Sequence, residues 1–193
     1  MRHHLHRMHE AVLRSAPIRP GDKILYVGSC NPAFTPGLAD QLARSGDLVA
    51  IDFSAASLPR AERLLQQASQ KNMLFFKLDE VAIPYPEAHF DLVIVFGASE
   101  QFPDGDHVLD ELGRVLKAEG RLYWHDVGRA SVSWWERLVR LLSLGRWPAR
   151  PSRSVAEIRR RMSRSFIIEF HRRWTHTWGK QSCLLVGRKG MPD

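Results

Sequence analysis

The stretch Lys23-Ile24-Leu25-Tyr26-Val27-Gly28-Ser29-Cys30-Asn31-Pro32 decides the reading of this chain. Its first six residues form the apolar run of a parallel strand covered on both faces, and Gly28 opens a tight turn. A helix begins near Pro36, with Thr35 as its cap, and Gly46 closes it. Leu48-Val49-Ala50-Ile51 is a second strand, ending in Asp52. Strand, turn, helix, strand and terminal acid make the nucleotide-cofactor half of a doubly wound α/β domain. Such a turn should carry several glycines; here only Gly28 is present.

The same alternation continues downstream. Ser57 caps a helix containing Ala61, Leu64, Leu65 and Ala68, and Met73 to Leu78 is strand three, followed by Asp79. Phe90 to Phe96 is strand four. Asp106 opens a helix whose core stripe is Val108, Leu109, Leu112, Val115 and Leu116. Gly120 to Trp124 is strand five, with His125 and Asp126 directly after it. Beyond that point the pattern changes. Val132 to Leu144 is a helix with Trp134 and Trp135 near its start, and Ser154-Val155-Ala156-Glu157 is a capping box for another. Phe166 to Trp174 and Gln181 to Gly187 read as an antiparallel pair. Upstream of the first strand, residues 1–19 form a short amphipathic helix with Leu5, Met8, Val12 and Leu13 on one side.

A length of 193 residues suits one α/β domain, with 44% hydrophobic and 25% charged residues. The expected organisation is a single domain over 1–193: an N-terminal helix (1–19), a cofactor-binding core (20–127), then lid helices and a terminal strand pair (128–193). No apolar run approaches the roughly 20 residues of a membrane span. Two cysteines, Cys30 and Cys183, build no disulfide framework and suit a reducing, cytoplasmic setting. His3, His4, His6 and His9 have no cysteine near them and no carboxylate arrangement at metal-ligand spacing, so no metal site is expected. Net charge is +7, but Arg129 to Arg173 alone holds twelve Arg, no Lys, three Glu and no Asp. The positive charge therefore belongs to one C-terminal segment, which suits an anionic membrane surface or an acidic protein partner.

Two motifs carry a family resemblance. Leu78-Asp79 through Ile83-Pro84-Tyr85-Pro86 to Phe90-Asp91-Leu92-Val93 is one; Glu111-Leu112-Gly113-Arg114-Val115-Leu116-Lys117 through Gly120-Arg121-Leu122 is the other. The chain resembles the class I S-adenosylmethionine-dependent methyltransferases, in particular the "type 11" group that includes quinone-ring methylases. The resemblance implies a Rossmann-like α/β fold: a seven-stranded, mostly parallel sheet with a C-terminal antiparallel hairpin and helices on both faces. It also implies S-adenosylmethionine as cofactor, S-adenosylhomocysteine as product and a small, aromatic or lipid-like acceptor.

Carried over residue by residue, the resemblance assigns Gly28 and Ser29 to the cofactor turn. Asp52 accepts from the ribose hydroxyls, Asp79 meets the adenine amino group, and Phe53 and Phe96 lie beside the cofactor. Ser99 and Glu100, after strand four, and Trp134 and Trp135, in the lid, are the candidates to hold the acceptor. His125 with Asp126 is the candidate base, because histidine titrates near neutral pH. The chain departs from the family at Tyr26, where an acid is expected, and at Cys30 and Pro32, which replace glycines. Cys30 adds a Cβ where the turn needs φ > 0, and Pro32 removes an N–H donor. These departures keep open an alternative: a methyltransferase-like binding or scaffold protein without catalysis. Nucleic acid is not expected as a partner, since Phe96-Gly97-Ala98-Ser99 stands where amino-methylating nucleic-acid enzymes carry an Asn/Asp-Pro-Pro-Tyr tetrad.

Overall fold

In the computed structural model, residues 12, 14–28, 46–53, 59, 73–78, 80–97, 102, 105–129, 155–175 and 180–190 are described. They contain strands β1 (Lys23–Gly28), β2 (Asp47–Asp52), β3 (Met73–Lys77), β4 (Phe90–Phe96), β5 (Leu116–Arg129), β6 (Phe166–Thr175) and β7 (Lys180–Lys189). Two helices accompany them, α1 (Gly105–Val115) and α2 (Val155–Ser165). The helices expected after Thr35 and Val132 lie outside the described residues, and of the one after Ser57 only Pro59 is described.

All seven strands join one sheet in the order β3-β2-β1-β4-β5-β7-β6. Strands β1 to β5 pair in parallel, and β7 runs antiparallel between β5 and β6. The central strands are apolar because both of their faces are covered: in β1, β2 and β4 nearly every residue is buried. One core cluster lies on each face. Ile24, Tyr26, Ala50, Ile94, Phe96 and Tyr123 share the first with Val12 and Ala16 of an N-terminal helical turn. That turn is closed by the Ala16 amide donating to the Val12 carbonyl at 2.8 Å, and the Tyr123 hydroxyl donates to the Ser15 carbonyl at 2.9 Å. The N-terminal segment thus seals the middle of this face. On the opposite face, Leu25, Val27, Val95, Leu122 and Trp124 pack against Leu109 and Leu112 of α1 and Ile158 and Met162 of α2.

The two resembling motifs turn out to be one device. Glu111 and Arg114 sit one helical turn apart in α1, with Arg114 Nε donating to Glu111 Oε1 at 2.7 Å. Glu111 Oε2 also accepts the Ile83 amide at 2.9 Å, while Arg114 donates to the carbonyls of Ile83 and Tyr85, each at 2.9 Å. The pair therefore fastens the segment before β4 to the helix after it. The Arg114 hydrogen bond foremost, opposed by burial and aided by the Ile83 amide, holds the Glu111 carboxyl below the usual glutamate range. A second tie lies at the amino edge of the sheet, where Asp91 accepts from Lys117 at 2.6 Å and from the Lys23 amide at 3.0 Å.

Strand β5 is longer than its sequence suggests. The apolar pattern predicts Gly120 to Trp124; the strand spans Leu116 to Arg129, starting where Leu116 pairs with Phe90 of β4 and running on past Trp124 because β7 lies alongside it from Arg121–Arg188 to Arg129–Lys180. Its first residues are irregular: the register with β4 shifts between Phe90 and Leu92, and Glu119 takes φ +62°. Gly120 is required here, since a Cβ would lie 2.7 Å from Leu116 Cδ1 and 2.8 Å from the Lys117 carbonyl oxygen.

Candidate active site

In a sheet of this order the chain leaves β1 in one direction and returns on its other side as β4, so the crevice for a ligand opens outside the carboxyl ends of those two strands. Gly28 and Phe96 are those ends, and they are register partners. Gly28 holds φ +130°, which is why glycine survives at this one position of the turn. Asp52 follows the Val27–Ile51 pair at the end of β2, and Phe96 faces His125 of β5. Alternation along each strand puts the Asp52, Phe96 and His125 side chains on the face of Tyr26 and Ala50. Asp52, Gly28, Phe96 and His125 thus form one row along the carboxyl edge, on one face.

Each member is held tightly. Asp52 is 0% exposed and His125 1%. The His125 imidazole stacks on Phe96 with ring centroids 4.2 Å apart and planes 16° apart. The Gly97 amide donates to the His125 carbonyl at 2.9 Å, so the turn after β4 is fastened to β5 at the same point. A buried carboxylate offers two oxygens with several lone pairs, which suits a neighbouring pair of hydroxyls.

The expected pairing of His125 with Asp126 does not form a dyad. Both lie inside β5, not after it, and successive strand residues point to opposite faces. His125 shares its face with Leu184, its partner on β7, and with Phe96; Asp126 lies across from Cys183 on the other face. Burial first, and the Asp126 charge second, push the Cys183 thiol up to about 12.

Two residues that no motif singled out complete the opposite wall. Phe53 meets Phe102 edge-to-face at 5.4 Å, and Phe102 meets Trp124 in the same manner at 5.6 Å. Phe53 and Leu78 remain partly exposed against this cluster, and the Leu78 amide donates to the Asp52 carbonyl at 3.0 Å. Only packing brings Phe102 and Trp124 together, since they lie in separate segments of the chain. Ser29, Asp79, Ser99, Glu100, Trp134 and Trp135 lie outside the described residues, as do Cys30, Pro32 and the N-terminal histidine cluster.

Against known proteins, the family described as "Methyltransferase domain" matches residues 25–124, just over half of the chain. The chain belongs to the class I S-adenosylmethionine-dependent methyltransferase family. S-adenosylmethionine is the cofactor of that family, and the buried acid at the end of β2 fits its ribose. Among similar proteins, the demethylmenaquinone methyltransferase of Lactobacillus johnsonii is 31% identical over 106 residues, 54% of this chain and 43% of that protein. The 27-O-demethylrifamycin SV methyltransferase of Amycolatopsis mediterranei is 30% identical over 119 residues, 60% of this chain and 42% of that protein. The match therefore spans less than half the length of these two relatives. Among solved structures, a geranyl diphosphate methyltransferase in complex with geranyl diphosphate (GPP) and sinefungin superposes with a TM-score of 0.75 at 14% identity, covering 94% of this chain and 78% of that one. An Aquifex aeolicus S-adenosylmethionine-dependent methyltransferase gives 0.69 at 19% identity, covering 92% and 88%. These likenesses are of fold. No helix among the described residues is long and apolar enough to cross a membrane.

Proposed function

We propose that this family member binds S-adenosylmethionine at the carboxyl edge of its sheet and methylates a small aromatic or lipid-like acceptor. The observation that carries the reading is the row Asp52–Gly28–Phe96–His125, on one face at the switch point between β1 and β4. When bound, the cofactor supplies an electrophilic methyl group on sulfur. The chain's own work is then to hold two reactants in line and keep water out. Asp52 accepts from the ribose hydroxyls. Gly28 and Ser29 give the turn room, Asp79 meets the adenine amino group, and Phe53 and Phe96 flank the bound cofactor.

His125 is the group to take a proton from an acceptor hydroxyl or an acidic carbon, and it does so without Asp126. Ser99, Glu100, Trp134 and Trp135 hold the acceptor. Two similar proteins are named for small-molecule acceptors, demethylmenaquinone and 27-O-demethylrifamycin SV, and an acceptor of this size class is the natural candidate here. A cytoplasmic location belongs to the same reading.

Calorimetric titration with S-adenosylmethionine and S-adenosylhomocysteine tests it without knowledge of the acceptor. The expected result is micromolar binding of both, weakened about tenfold or more by Asp52→Asn, because a charge-assisted hydrogen bond is worth roughly 1.5–3 kcal/mol. A folded protein that takes up neither ligand would overturn the reading and return the scaffold alternative.

A further inference from the structure

The arginines of the C-terminal segment are not spread evenly over the surface. Ala156, Arg159, Arg160 and Ser163 of α2 follow the spacing i, i+3, i+4, i+7, which lines one side of a helix. His171 and Arg173 of β6 are two apart and so share one face of their strand. The sheet brings the two sets together as the walls of a groove of about 480 Å³. Among the described residues, the lining holds three guanidinium groups, an imidazole and a hydroxyl, and no carboxylate.

The nearby acids are engaged elsewhere. Glu157 pairs with Arg161 at 2.9 Å, and Glu169 pairs with Arg121 at 2.8 Å and with Arg188 at 2.9 Å. Among the described residues, no ion pair joins Arg159, Arg160 or Arg173 to a carboxylate. Within the groove wall, His171 Nε2 is shielded from solvent and has no hydrogen-bond partner.

We infer that this groove between α2 and β6 binds a phosphate-bearing group, which Arg159, Arg160 and Arg173 grip from two sides. A tetrahedral phosphate presents several oxygens at once, and planar guanidinium forks engage them with paired hydrogen bonds. Three like charges converging without a counter-charge repel one another until an anion enters. The field in the groove is consistent with this: burial first, then the charges of Arg159 and Arg173, hold the His171 imidazole below the usual histidine value. Leu185, opposite His171 on β7, adds no charge. The site stands on the edge strand, away from the row at Gly28, and does not depend on methyl transfer.

The test follows the His171 imidazole by NMR in the full chain during titration with inorganic phosphate. In parallel, sedimentation is measured with vesicles of phosphatidylcholine alone and with added phosphatidylglycerol. The expected result is a saturating shift of the His171 signal, with its titration midpoint moving up as the anion offsets the arginine charges. Arg159→Gln combined with Arg173→Gln weakens binding about tenfold or more, and both positions are exposed, so the fold is retained. Arg164→Gln, exposed on the same helix outside the groove, changes it less than about twofold.

A His171 response to inorganic phosphate without vesicle binding identifies a soluble phosphate compound as the ligand class. Vesicle binding that needs phosphatidylglycerol, Arg159 and Arg173, with no response to inorganic phosphate, identifies a lipid headgroup. No response to either probe, or a response that persists in the double variant, overturns the inference.

Discussion

The imidazole of His125 lies 4.2 Å from the ring of Phe96 and nearly parallel to it, while the next residue, Asp126, is directed to the other side of the sheet. This arrangement gives His125 an aromatic neighbour, Phe96, on its own face of the sheet. Stacking fixes the ring plane, and burial at the carboxyl edge places it in the row with Gly28 and Asp52.

His125→Phe therefore separates packing from chemistry. Phenylalanine keeps the stacked contact and the fold but takes no proton. With an acceptor in hand, turnover should fall about 10²–10⁴-fold while S-adenosylmethionine affinity stays within a few-fold. Asp126→Asn should leave the pH dependence of turnover in place. Unchanged turnover in His125→Phe would remove this residue from the reaction.

Tyr26 stands where family members carry an acid, and its side chain is 0% exposed within the cluster of Ile24, Ala50 and Ile94. Restoring the acid by Tyr26→Asp places a carboxylate among apolar side chains and should cost about 3–5 kcal/mol of stability, read by chemical denaturation. The useful reversion is Cys30→Gly with Pro32→Gly, leaving Tyr26 in place. If these two residues narrow the turn, that pair of changes tightens S-adenosylmethionine binding in calorimetry; equal affinity would show that they do not.

Breaking the tie between α1 and the segment before β4 should be felt across the fold. Arg114→Ala removes donors to Glu111, Ile83 and Tyr85. Both charged partners are partly solvent-exposed, so the expected loss is about 1–3 kcal/mol rather than the sum of its bonds. The pH dependence has a definite sign. Glu111 is held below its ordinary value of 4.5, so the unfolded chain binds more protons there than the folded one. Its contribution is present above about pH 4.5 and fades as pH falls through the lower folded value. Urea unfolding of wild type and Glu111→Gln at pH 7 and pH 3.5 should show a difference that narrows at the lower pH. A gap of constant size would mean that Glu111 acts by shape alone.

Glu119 occupies a left-handed backbone conformation at φ +62°. That conformation costs a non-glycine residue roughly 1–2 kcal/mol. Glu119 also pairs with Arg188 on the surface, a contact that solvent weakens. Glu119→Gly relieves the backbone strain and gives up only the weaker surface pair, so the melting temperature should rise by a few degrees. A fall in melting temperature would show that the ion pair outweighs the strain.

Much of this protein is determined by local sequence. Apolar runs at 23–28, 47–52 and 90–96 become strands because buried parallel strands need both faces apolar. α2 begins at Val155, directly after the residue at which the sequence expects a cap, and Glu111 with Arg114 meets across one helical turn, as spacing alone requires. The end of β5 is different. Pairing with β4 ends at Phe96–His125, and beyond it β7, a strand far along the chain, carries β5 on and draws Asp126 into the sheet on the face opposite His125. The groove of Arg159, Arg160, His171 and Arg173 likewise exists only because β6 and α2 meet. Helical and strand periodicity are properties of neighbours in sequence; which side chains face one another across the sheet is set by long-range pairing, and that is where the candidate chemistry of this chain lies.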